Sequence, residues 1–141
     1  MTSKEINILL VEDDDVAAEA VMRSLKKHGV PASLTWAQDG QEALEVLRGQ
    51  QPGRSVPRPR LVLLDLNMPR MNGLEFLDAL RADEELSNTV VFVLTTSDGD
   101  RDRSAAYQRH VAGYIVKTAV GNQFSLLCQL LNDYAACVTL S

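Results

Sequence analysis

Residues 61–77 read LVLLDLNMPRMNGLEFL, and the fold is decided there. Leu61-Val62-Leu63-Leu64 is the most apolar run of the chain, and its length suits a buried strand. It stops at an acid, Asp65. Pro69 and Gly73 mark the turn that follows, after which Leu74, Phe76, Leu77 and Leu80 return at helical spacing. Strand, polar strand end, turn and amphipathic helix make one βα unit.

The same alternation extends in both directions. Upstream, Ile6 to Val11 is apolar except for Asn7 and suits a central strand covered on both faces. It runs into Glu12-Asp13-Asp14-Asp15, and Val16, Ala20, Val21 and Leu25 then form a helix that Gly29 stops. Ser33 to Trp36 is a short second strand, followed by Asp39-Gly40 and a helix carrying Ala43, Leu44 and Leu47. An insertion over about 49–60, rich in proline and arginine, breaks the pattern and reads as a solvated loop. Downstream, Val90 to Leu94 is a strand running into Thr95-Thr96-Ser97, and Gly113 to Val116 is a strand running into Lys117. Between them Asp100 to His110 has few apolar residues, so its helix is expected to be the least firmly packed. A last helix covers about 122–138, with Phe124, Leu127, Cys128, Leu131, Tyr134, Ala135 and Val138 on one face. Leu126, Leu130 and Cys137 widen its stripe beyond what packing on a sheet requires, which suggests a protein contact. Five strands alternate with five helices: the class is α/β, one domain over 1–141.

Composition agrees. The 141 residues are 45% hydrophobic, enough for one core without disulfides. A formal charge of −5 provides no footprint for direct binding of DNA. No apolar run approaches the roughly 20 residues a membrane span needs, and no signal peptide is evident. The expected location is the cytoplasm, where Cys128 and Cys137, too far apart on one helix to be bridged, serve as apolar packing residues.

Four strands end in residues able to do chemistry: Glu12-Asp13, Asp65, Thr95 and Lys117. An open parallel sheet binds ligands outside the carboxyl ends of its strands, so these distant residues converge. Clustered carboxylates repel one another unless a cation intervenes, and a hard, oxygen-seeking ion such as Mg2+ meets that need. A lysine and a hydroxyl nearby can hold phosphate oxygens, which makes Asp65 a candidate carboxylate nucleophile for phosphoryl transfer. Singly, each residue has a plainer reading, as helix cap, surface charge or strand-end hydroxyl.

ILLVEDDD, LVLLDLNMPRMNGLEFL, VFVLTTSD and GYIVK resemble, in that order, the signature segments of stand-alone, CheY-like response-regulator receiver domains. The resemblance implies a flavodoxin-like three-layer sandwich with a five-stranded parallel sheet in the order 2-1-3-4-5. It implies a two-component or phosphorelay protein that is not an enzyme in the ordinary sense, although it assists its own phosphorylation and dephosphorylation. Asp65 is similar to the phospho-acceptor, Asp13 to the direct Mg2+ ligand, Glu12 to a ligand acting through water, and Asn67 to the residue lending a backbone carbonyl. Thr95 resembles the hydroxyl that moves toward the phosphoryl group, Lys117 its paired cation, and Tyr114 the aromatic that reports the switch. The implied partners are a sensor histidine kinase or phosphotransfer protein and a downstream protein target. With no effector domain expected after residue 141, output is expected through a partner, by passing the phosphoryl group onward, or through a homodimer formed on the face of helix four, strand five and the last helix.

The chain departs from the family pattern at Thr118, where a proline usually follows the lysine, and in the insertion before strand three. The insertion and the wording LDLNMPRMNG resemble receivers paired with phytochrome-type kinases. Thr118 keeps alive an alternative, a pseudo-receiver that docks without phosphorylation. A haloacid-dehalogenase-type phosphatase would want an acid where Asn67 stands, and a flavodoxin would need a phosphate-cradling loop where the chain has Glu12 to Asp15.

Overall fold

The computed structural model describes residues 6–57, 60–68, 71–96, 99–116, 128–129 and 131–132. The elements are β1 (Ile6–Val11), α1 (Asp15–Lys27), β2 (Ala32–Ala37), α2 (Gly40–Leu47), β3 (Arg60–Leu64), α3 (Gly73–Ala82), β4 (Val90–Thr95), α4 (Asp100–Gln108) and β5 (Gly113–Val116). All strand pairs are parallel, in the order β2-β1-β3-β4-β5. Cys128, Gln129, Leu131 and Asn132 are helical; the rest of the expected last helix, with Lys117 and Thr118, lies outside the described residues.

Alternation along the strands builds two cores. Leu9, Val11, Val62, Leu64, Val91 and Val93 face α2 and α3, meeting Leu44, Leu47, Phe76, Leu77 and Leu80. Ile8, Leu10, Leu61, Leu63, Phe92 and Leu94 face the other way and meet Ala18, Val21 and Leu25 of α1, with Cys128 and Leu131. The Cys128 and Leu131 side chains are wholly buried, as the wheel of the last helix requires. Burial pushes the Cys128 thiol up to about 11.

Helix ends explain the element lengths. Asp14 accepts the Val16 N–H and caps α1. Gly29, at φ +67, closes the other end: its N–H donates to Lys26 and that of Val30 to Leu25, a paired bonding that needs a left-handed residue. Asn72 and Glu75 form a reciprocal capping box at the start of α3. α4 is the weak element: only Ala106 is buried, and its N-cap, Gly99, makes no side-chain bond. Its C-terminal end is tethered, because Arg109 grips Asp78 of α3 at 2.7 Å. Arg81 of α3 donates to four main-chain carbonyls, those of Ser87, Thr89, Arg109 and His110, at 2.7 to 2.9 Å.

The insertion is less solvated than expected, and Arg60 already belongs to β3. Val56 is buried in the core, while Arg54 pairs with Glu42 of α2 and donates to the Trp36 carbonyl of β2.

Candidate functional site

Register brings the strand ends together. Val11 pairs with Leu64 and Leu64 with Val93, so the residues that follow them emerge side by side at one edge of the sheet. The chain winds outward from β1 to β2 on one side and to β3 on the other, which makes the crevice between β1 and β3 the topological switch point. Glu12 and Asp65 flank it. The Asp65 N–H donates to the Val11 carbonyl at 3.0 Å, continuing the ladder one residue past β3.

The acidic run divides its labour. Asp14 is consumed as the α1 cap and Asp15 opens the helix, favourably placed at its positive end. Glu12 and Asp13 are left for the crevice, where one ligand oxygen from each lies within 4.8 Å of the others and of an Asp65 oxygen. Glu12 and Asp65 are buried and Asp13 is exposed. Three carboxylates at this range are an all-oxygen donor set that suits a hard divalent cation, with room for water on the exposed side.

Asp65 is held by its neighbours. Thr95 Oγ1 donates to Asp65 Oδ1 at 2.9 Å, and the Asn67 N–H donates to the same oxygen at 3.2 Å. Thr95 is wholly buried, so its hydroxyl is directed by the protein rather than by solvent. Gly73 lets α3 start hard against this loop: a Cβ there would stand 2.6 Å from Leu66 Cα and 2.8 Å from the Asp65 carbonyl oxygen. A cavity of about 420 Å3 lies along the loop that follows Asp65, lined by Leu66, Asn67, Met68, Asn72, Leu74 and Asp102.

Tyr114 lies farther along the edge, half-buried on β5, with the Arg103 guanidinium 5.3 Å from its ring centroid. The structure thus brings together Glu12, Asp13, Asp65, Asn67 and Thr95, and sets Tyr114 under α4. Two residues escaped the sequence reading. Trp36 donates its indole N–H to the Glu12 carbonyl at 2.7 Å, and Arg103 stacks on Tyr114. Trp36 reads as an ordinary strand aromatic and Arg103 as a solvated charge, so no local signal marks either.

Residues 8–128 match the response regulator receiver domain. The chain is 42% identical over 111 residues to a probable methanogenesis regulatory protein, FilR2, of Methanothrix harundinacea, covering 78% of this chain and 70% of that protein. It is 38% identical over 111 residues to the response regulator Rcp1 of Synechocystis, covering 79% and 76%. The crystal structure of Mn(2+)-bound Rcp1 superposes with a TM-score of 0.71 at 35% identity, over 91% of this chain and 90% of that one. The phosphorylated cyanobacterial phytochrome response regulator RcpA superposes with a TM-score of 0.74 at 33% identity, over 92% and 90%.

Proposed function

The chain belongs to the response regulator receiver family and takes part in phosphorylation-based two-component signalling, and from that premise we propose that Asp65 is its phospho-acceptor. The observation that carries this is the buried Thr95–Asp65 bond beside two further carboxylates, Glu12 and Asp13.

In the proposed reaction an Asp65 carboxylate oxygen attacks the phosphorus of a phosphohistidine. The P–N bond breaks, a P–O bond forms, and the imidazole leaves. Asp13 and Asp65, with Glu12 through water and the Asn67 carbonyl, would hold a Mg2+ ion, which when bound would supply neutralisation of charge on the phosphoryl oxygens. Thr95 exchanges its bond to Asp65 for one to a phosphoryl oxygen, and Lys117 pairs with another. Loss of the Thr95 tether lets Tyr114 repack beneath α4, altering the surface that a downstream protein, or a second copy of the chain through α4, β5 and the last helix, would recognise. The residues assist the transfer, but the chain turns over no external substrate.

The donor we favour is a phytochrome-type histidine kinase or a phosphotransfer protein. The likeness to RcpA and to the bacteriophytochrome response regulator RtBRR supports that choice. Among the described residues no helix is long and apolar enough to cross a membrane, and a cytoplasmic location fits this reading.

The test is incubation with acetyl phosphate and Mg2+, followed by intact-mass measurement beside Asp65→Asn. An adduct of one phosphoryl group is expected, absent from the variant and without Mg2+. No adduct, even with a cognate kinase supplied, would leave the chain as a phosphorylation-independent docking module.

A further inference from the structure

The Glu12 residue is gripped from two sides by the end of β2. Its N–H donates to the Ala37 carbonyl at 3.0 Å, and its carbonyl accepts the Trp36 indole N–H at 2.7 Å. The Glu12 carbonyl shares a planar peptide unit with the Asp13 N–H. The indole therefore sets the plane from which the Asp13 side chain departs.

Trp36 is itself held. Arg54 donates one guanidinium nitrogen to the Trp36 carbonyl and another to Glu42 Oε1 at 3.2 Å, and Glu42 Oε2 accepts the Gln38 N–H at 2.8 Å. β2 is an edge strand, so a carbonyl turned outward has no strand to bond, and the planar fork of an arginine is suited to serving it and a carboxylate together. Burial of Val56 anchors the same loop two residues later. The chain of contacts runs from Arg54, in the segment between α2 and β3, through Trp36 to the Glu12–Asp13 peptide.

We propose that Trp36, braced by Arg54, is a positioning residue for a divalent cation at Glu12, Asp13 and Asp65: it orients the peptide that carries two of the three carboxylates. The inference rests on the reading of those carboxylates as a cation site. Groups that orient metal ligands without touching the metal typically change affinity by about 10- to 100-fold. Trp36 acts on the backbone of the ligands, so the lower end of that range is expected, and less again for Arg54.

The experiment is calorimetric titration of Mg2+ and Mn2+ into the full chain, with thermal melting of the metal-free protein alongside. Trp36→Phe removes the donor. Replacement of Trp36 by benzothienylalanine keeps the shape of the indole, exchanges its N–H for sulfur, and guards against a variant that fails to fold. Both should raise Kd by about tenfold, and Arg54→Gln by a smaller factor. An unchanged Kd in the folded benzothienylalanine protein overturns the inference and assigns Trp36 to packing alone. Absence of cation binding by the unsubstituted chain overturns the reading of the site, and this inference with it.

Discussion

Thr95 and Asp65, 30 residues apart in sequence, share a hydrogen bond of 2.9 Å between side chains that are both buried. Thr95→Val keeps the shape and deletes the donor, leaving a buried carboxylate oxygen short of one partner. The variant should lose about 1–3 kcal/mol in urea unfolding of the metal-free protein. If the hydroxyl also serves the phosphoryl group, labelling by acetyl phosphate should slow by on the order of 100-fold, the usual cost of one preorganised donor. A stability loss with an unchanged labelling rate would confine Thr95 to a structural role.

Three carboxylates within 4.8 Å of one another repel in the absence of a cation. Mg2+ at a hundredfold excess over Kd should stabilise the fold by about 2.7 kcal/mol, readable as a rise in melting temperature that KCl at equal ionic strength does not reproduce. Asp13→Asn should act in reverse, melting higher than the parent without metal and losing the response to Mg2+.

Gly73 has no room for a side chain, because the obstacle is backbone: Leu66 Cα at 2.6 Å and the Asp65 carbonyl at 2.8 Å. Gly73→Ala should cost about 3 kcal/mol as the loop or α3 is forced to shift. The denaturant midpoint measures the cost, and a parallel metal titration should show weakened binding, because the loop that moves carries Asp65.

Arg81 serves four carbonyls from two segments, the connections before β4 and before β5. Arg81→Met should destabilise the fold by on the order of 3 kcal/mol, by loss of the bonds and stranding of partly buried acceptors. Arg81→Lys should recover little of this, since a point charge cannot span the same geometry. Full recovery in the lysine variant would show that charge rather than the fork matters.

The Cys128 thiol is raised from 9.0 to about 11 by burial. The folded state then binds its proton more tightly than the unfolded chain does. This contribution to stability is complete below pH 9.0 and is lost as the pH rises through about 11. Denaturation midpoints measured across that window should fall more steeply for the parent than for Cys128→Ala.

What was legible in the sequence is what depends on neighbours in the chain. Leu61 to Leu64, the stop at Asp65 and the helical return of Leu74, Leu77 and Leu80 are local signals, and parallel α/β topology then brings Glu12, Asp65 and Thr95 together almost by rule. Gly29 announces its left-handed cap in the same way. The braces were not legible. Arg54 reaches Trp36 across 18 residues and Trp36 reaches Glu12 across 24, between elements of different kinds and with no period to betray them. Arg81, within the last turn of a helix, reads as a surface charge, although its work is on loops brought there by the fold. Val56 lies in a proline-rich segment whose composition reads as solvated, whereas one buried apolar side chain suffices to pin it.

α4 is held differently at its two ends. Its C-terminal end is tied down by Arg109 and Arg81, while its first turn, on the side of Thr95, has no buried residue and no side-chain cap and rests on the stacking of Arg103 over Tyr114. A turn held this lightly would be the part of α4 that loosens at the least free-energy cost. Between any two arrangements of such a segment a bias of about 1.4 kcal/mol changes the ratio tenfold, and one charge-assisted hydrogen bond gained or lost is worth roughly 1.5–3 kcal/mol. Sparse packing of that turn would thus act as a sensitivity setting, placing its population within reach of a single bond rearranged at the end of β4.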